Sequence, residues 1–168
     1  MTPDHTFWTA TDTPLGTFTI IADDDAVLAS GWTQDVDAIS AQILHALRGQ
    51  QPVRHRGQSR FADVVDAYFA GDLHAIDAVA VRHVGPPFRT AAWGALRKVA
   101  PGEVISYSEL ARRAGRPSAI RAAASACARN PSALFVPCHR VRRLDGSVGG
   151  FAYGVQTKNW LLAHEAAA

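Results

Sequence analysis

The chain of 168 residues has only two cysteines, Cys127 and Cys138, and no apolar run near the roughly 18 residues that a membrane span requires. The shortage of cysteine excludes a disulfide framework: two thiols without an export signal read as free thiols in a reducing compartment. The N-terminus, MTPDHTFW, lacks the basic start and apolar core of a secretory signal, so the expected location is cytoplasmic. No internal repeat or low-complexity tract is present apart from the small-residue run RAAASACA (121–128). What is present is apolar material: 48% of the residues are hydrophobic, enough for a sizeable core in one ordinary domain or two small ones.

Charge is unevenly spread. Residues 1–83 hold 5 basic against 11 acidic side chains, a balance of −6, and residues 84–168 hold 12 against 4, a balance of +8. A basic half of this kind is either a solvated surface or the footprint of a polyanion partner. The sign changes at HVGPPF (83–88), a Gly/Pro punctuation that marks the expected boundary between an N-terminal domain, 1–83, and a C-terminal domain, 84–168.

The hydrophobic patterns predict an α/β chain: a small N-terminal α/β domain with a short antiparallel sheet, and a mainly helical C-terminal domain. GTFTIIA (16–22) and AVLASGW (26–32) read as two strands of a hairpin around DDD (23–25). Helices are predicted over 36–49 and 61–71, each closed by glycine, with a loop over 50–59 and a strand over 76–81. In the second half, 87–100 has helical spacing, and Ser106 with Glu109 forms a capping-box signature opening a helix at Tyr107. Gly115 closes that helix, and Pro117 suits the first turn of the next, 117–128, giving a helix-turn-helix pattern across a three-residue turn. Such a pair is either ordinary helix packing or a nucleic-acid reader. Its second helix is nearly bare, with Arg121 as the one long side chain near its start.

The stretch NPSALFVPCHRV (130–141) concentrates the chemistry. Pro137 fixes the backbone before Cys138, His139 and Arg140 bring potential positive charge, and Leu134–Val136 reads as a buried strand leading in. Cationic neighbours lower a thiol's pKa and favour the nucleophilic thiolate. Adjacent residues do not face each other, so His139 would act through a water with an acid orienting its ring. Glu165, on an amphipathic helix docked by Trp160 and Leu161 or Leu162, is the candidate acid. Cys127 reads as structural. Cys127, Cys138, His139 and His164 lack any standard zinc-ligand spacing, so no metal site is expected from them.

PCHRV (137–141), preceded by GEVISY (102–107), GRPSAIRA (115–122) and ARNP (128–131) and followed by WLLAHE (160–165), resembles the O6-alkylguanine-DNA alkyltransferases. The resemblance spans roughly residues 84–166. TPLGTFTI (13–20) and AYFAGDL (67–73) resemble that family's variable N-terminal domain. It implies that Cys138 accepts the alkyl group as a thioether, that His139 is the water-bridged base, and that Glu165 holds His139. Asn130 would brace the turn, and Tyr107 would give a proton as guanine leaves. Arg121 would fill the gap left by a flipped nucleotide, with Ala122, Ala123, Ser125, Ala126 and Arg129 at the minor groove. The pocket would be lined by the carbonyl of Val136 and by Val148, Gly149, Phe151 and Ala152.

The implied partner is double-stranded DNA containing O6-alkylguanine, bound without a cofactor by a monomer that is spent after one turnover. Phe151 and Ala152 depart from the tyrosine, often followed by serine or glycine, that is common in the family's pocket loop. Three other readings are weaker. A damage-binding relative without transfer would lack Cys138, a cysteine hydrolase would need Cys and His to face each other, and a helix-turn-helix regulator leaves PCHRV and WLLAHE unexplained.

Overall fold

The computed structural model describes residues 5–167. The described residues form two compact units, one of residues 5–84 with 131–135 and one of residues 85–130 with 136–167. The units therefore do not follow a single cut in the chain: a five-residue segment of the second half belongs to the first unit.

The first unit is built on a five-stranded sheet ordered β4-β1-β2-β3-β5. Its centre is the meander β1 (Phe7–Thr13), β2 (Gly16–Ala22) and β3 (Ala26–Gly31), paired antiparallel. Asp23 shapes the predicted hairpin: its buried carboxylate accepts the backbone N–H groups of Asp25 and Ala26, both at 2.8 Å, and Arg82 at 2.8 Å. Ile20 and Ile21 are both fully buried, so both faces of β2 are covered. One face packs on α1 (Val36–Ala41) and α2 (Leu44–Leu47) through Ile39, Ile43 and Leu47. These replace the single helix expected over 36–49. Ile43 leaves helical geometry at φ −131°, yet the spacing of four residues keeps one apolar stripe.

Two further expectations are corrected here. The loop expected over 50–59 contains β4 (Val53–Arg54), parallel to β1, because the N–H of His55 and that of Val53 find carbonyls on Trp8 and Thr6. The strand expected over 76–81 is a 3-10 turn, Ala75–Ala78, followed by the two-residue β5 (Ala80–Val81). Between them, α3 (Arg60–Phe69) is capped by Ser59 and buries Phe61, Val65 and Tyr68. Residues 131–133 run beside Ser30 of β3, whose hydroxyl donates to Ala133 O at 2.7 Å, while Ser132 Oγ donates to Leu28 O.

The second unit holds α4 (Pro87–Leu96), the short parallel pair β6 (Ile105–Ser106) and β7 (Val141–Arg142), and the helices α5 (Tyr107–Arg113), α6 (Ile120–Ala128) and α7 (Val155–Ala166). Ser106 Oγ accepts from Glu109 N as the capping signature predicts, but the Glu109 carboxylate turns to Arg112 and Arg113. The next helix starts at Ile120, so six residues rather than three separate α5 from α6. Pro117 disfavours helical backbone at Arg116, and a separate turn, Ala119 N to Arg116 O, intervenes.

Among the described residues no helix is long and apolar enough to cross a membrane.

Candidate active site

The reactive segment begins with a backbone device. The predicted strand over Leu134–Val136 is buried but not a strand, because Leu134 takes a left-handed φ of 72° and turns the chain. Pro137, at φ −82° and ψ 65°, then closes an inverse γ-turn in which Cys138 N donates to Val136 O at 2.8 Å. Cys138, His139 and Arg140 follow as one 3-10 turn, and all three are buried. Asn130 Nδ2 donates to the same Val136 carbonyl at 2.8 Å and to Cys138 Sγ at 3.3 Å. One side chain thus fixes both the turn and the thiol.

His139 and Glu165 are joined as the sequence suggests, with Nε2 at 2.8 Å from Oε2, and both are almost fully buried. The carboxylate does more than orient the ring. Arg140 donates from Nε and Nη2 to its two oxygens, each at 2.8 Å, and from Nη1 to Val99 O at 2.7 Å. Burial alone would raise the Glu165 pKa; the hydrogen bonds from Arg140 and His139 outweigh it and hold the carboxyl well below its usual range. Burial pushes the His139 pKa down against the pull of Glu165, so the imidazole is neutral at pH 7. A carboxylate at Nε2 selects the Nε2–H tautomer, leaving Nδ1 as an acceptor. Nδ1 is buried and has no protein hydrogen-bond partner.

The thiol opens on a cleft of about 470 Å³, lined among others by Tyr107, Arg121, Ala124, Cys127, Phe151 and Ala152. Burial pushes the Cys138 thiol up, opposed by the Asn130 hydrogen bond and the charge of Lys158. Burial, with smaller contributions from the two thiols, pushes Tyr107 up to about 12, so it is a neutral phenol and a hydrogen-bond donor at pH 7. Gly149 stands behind it: with φ 75°, a Cβ there would lie 3.0 Å from Tyr107 Oη.

Within residues 87–167 the chain matches the family model described as 6-O-methylguanine DNA methyltransferase, DNA binding domain. It is 38% identical over 156 residues to the methylated-DNA–protein-cysteine methyltransferase of Salmonella typhimurium, with 91% of each chain covered. The chain belongs to this family of methyltransferases. The crystal structure of the Mycobacterium tuberculosis O6-methylguanine methyltransferase matches with a TM-score of 0.80 at 29% identity, covering 96% of this chain and 93% of that one. The same organism's protein in complex with DNA matches with the same TM-score and coverage at 28% identity. By family this chain is a methylated-DNA–protein-cysteine methyltransferase.

The methyltransferase places some expected residues away from the cleft. Ala123 and Ala126 are buried at 0% and 1% exposure, and Trp93 Nε1 donates to Ala126 O, so these two alanines serve packing inside the unit. Arg121, Ala122 and Arg129 are exposed, as is Ala124, which the sequence reading left out. Val136, Val148 and Gly149 do not line the cleft. Trp160 is half-buried and stacks on His164 at 4.9 Å between centroids, while Leu161 and Leu162 are the buried apolar residues of α7.

Three contributors were missed. Arg140 was read only as a neighbouring charge. Cys127 was read as structural, yet it lines the cleft. Lys158 is fully buried and donates to Val141 O at 2.7 Å and Gly150 O at 3.4 Å, tying β7 to the pocket loop. The signal for Lys158 was available: positions 158, 161, 162 and 165 share one helical face, and all four are buried.

Proposed function

We propose that Cys138 is the alkyl acceptor and that its proton leaves through a water to Nδ1 of His139. The observation that carries this is the hydrogen bonding of the buried imidazole that follows the thiol in the chain. Its Nε2–H is committed to Glu165, its Nδ1 lone pair is uncommitted, and Arg140 holds the carboxylate from behind. In the transfer step the Sγ–C bond forms as the C–O6 bond breaks. Negative charge leaves with guanine, which takes a proton from Tyr107, and the imidazolium, stabilised meanwhile by Glu165, gives its proton back through water to the tyrosinate. This is general base and acid work at either end of one displacement. Because a thioether does not hydrolyse, the reaction is stoichiometric and each molecule acts once.

An alkyl carbon on O6 is out of reach inside a duplex, so the nucleotide is rotated out at a cost of about a few kcal/mol. Arg121 is exposed at the cleft and supplies a side chain for the gap. The small exposed residues Ala122 and Ala124 on α6, and half-buried Ser125, suit entry into a narrow minor groove as the second helix of a helix-turn-helix. The reading includes a monomer at work in the cytoplasm, where free thiols persist.

The test is intact mass after mixing with a stoichiometric duplex carrying one O6-methylguanine, followed by peptide mapping. A gain of one methyl group on Cys138, with no second turnover, is expected. Unchanged mass with tight lesion binding would make this chain a damage recogniser. Methyl on Cys127 would overturn the assignment of the acceptor.

A further inference from the structure

A second cleft, of about 690 Å³, lies in the first unit, lined by the residues around β4 and the start of α3. Its rim carries Arg54, Arg56 and Arg60 against one carboxylate, Asp24. These are three of the five cations among residues 1–83, where the balance is −6, and no acidic residue occurs from 38 to 62. Among the described residues none of the three forms an ion pair with a carboxylate. Exposed cations without a paired carboxylate make this patch locally basic on an acidic unit, and such a patch attracts anions.

One guanidinium of the rim is held rather than loose: Arg60 lies over the Phe61 ring at 4.3 Å and donates to Asp24 O at 2.8 Å. Arg54 pairs with Trp8 and lies over its ring at 5.4 Å, on the face of the sheet opposite Phe7 and Val53, so the cations left to the cleft are Arg56 and Arg60. An arginine stacked on a ring keeps N–H groups that can grip phosphate oxygens. The cleft also has an apolar wall: the half-buried rings of Phe7 and His55, 5.0 Å apart, and exposed Val53.

We propose that this cleft binds a nucleoside phosphate, either as a free nucleotide or as one unit of single-stranded nucleic acid. Arg56 and Arg60 take the phosphate and the Phe7–His55–Val53 wall takes the base, the combination by which single strands are held without sequence preference. A duplex fits less well. With a charge about every 1.7 Å of its axis, it would carry phosphates onto exposed Asp24, Asp25 and Asp63.

The experiment uses the full chain and a thymidine hexanucleotide containing 4-thiothymidine. It is photo-crosslinked in the presence of saturating unmodified duplex, which occupies the DNA surface of the second unit. Crosslinks are expected within residues 53–61 and should fall at least tenfold in Arg56→Glu/Arg60→Glu. Methyl transfer from a duplex should be unchanged in that variant, since both side chains are exposed and outside the transfer site. Competition by thymidine monophosphate would make a free nucleotide sufficient, and competition by the unlabelled hexamer alone would make the strand the ligand; both support the proposal. Crosslinks confined to residues 85–130 and 136–168, or insensitive to the double substitution, would overturn it. So would competition by inorganic phosphate equal to that by the mononucleotide, because the base would then contribute nothing.

Discussion

Glu165 receives hydrogen bonds from two neighbouring residues, and its removal should be costly in two distinguishable ways. Glu165→Gln leaves Arg140 buried without its carboxylate, and breaking a buried pair in this manner destabilises by about 3–5 kcal/mol, readable as a lower urea midpoint. It also removes the charge that stabilises the imidazolium, so transfer should slow even under conditions where the variant is fully folded. The charge of Lys158 favours the thiolate of Cys138, after the Asn130 hydrogen bond. In Lys158→Met the thiol pKa should rise further and the pH profile of transfer should move to higher pH. The rate at pH 7 should fall roughly tenfold for each unit of that move. Lys158→Arg should restore the profile if charge is the cause, whereas equal loss in both variants would make the role one of shape. Gly149→Ala should push Tyr107 from its place, slowing transfer while leaving DNA affinity unaltered, as checked by single-turnover rates against binding titrations.

Helix α6 has two kinds of alanine that composition cannot separate. Ala123 and Ala126 face inward, so Ala126→Leu should overpack the unit and cost about 1–3 kcal/mol in a denaturation measurement. Ala122→Leu, on the exposed side, should leave stability alone and weaken duplex binding. Arg121→Ala should slow repair in a duplex more than transfer from the free base. The elements that could be read directly from the chain were those with a repeating apolar spacing: the hairpin of β2 and β3, α3, α4 and α5. Those that could not were set by distant partners. β4 exists because β1 offers it carbonyls, and Leu134–Val136 is bent because the backbone at Leu134 enters the left-handed region, which no side-chain period reveals. In the site, Cys138 and Glu165 were legible because cysteines and acids are rare in the second half of the chain, and His139 because it adjoins the cysteine. Arg140 was not, since a buried cation looks like a surface one until the burial of its turn is known; Lys158 was legible only through the helical face it shares with Leu161, Leu162 and Glu165.

Over the whole molecule, protonation and folding are linked through the buried pair. The folded His139 pKa lies below its ordinary value of 6.5, so below pH 6.5 the unfolded chain binds a proton that the folded chain refuses, and stability falls as pH drops. The folded Glu165 pKa is depressed as well, so its contribution is present above its ordinary 4.5 and is lost on further acidification. Thermal midpoints should therefore fall from pH 7.5 to 5.5 and again below pH 4.5, and a profile that is level down to pH 5 would contradict a neutral buried imidazole. The return of residues 131–135 to the first unit has another consequence, in the order of synthesis. When a ribosome has released only residues 1–84, Ser30 and Leu28 still lack the partners that Pro131, Ser132 and Ala133 bring. The nascent sheet must wait, with half of one strand edge open, until the segment just before the reactive cysteine leaves the exit tunnel. Completion of the older unit and arrival of the nucleophile are thus the same moment in the life of the chain.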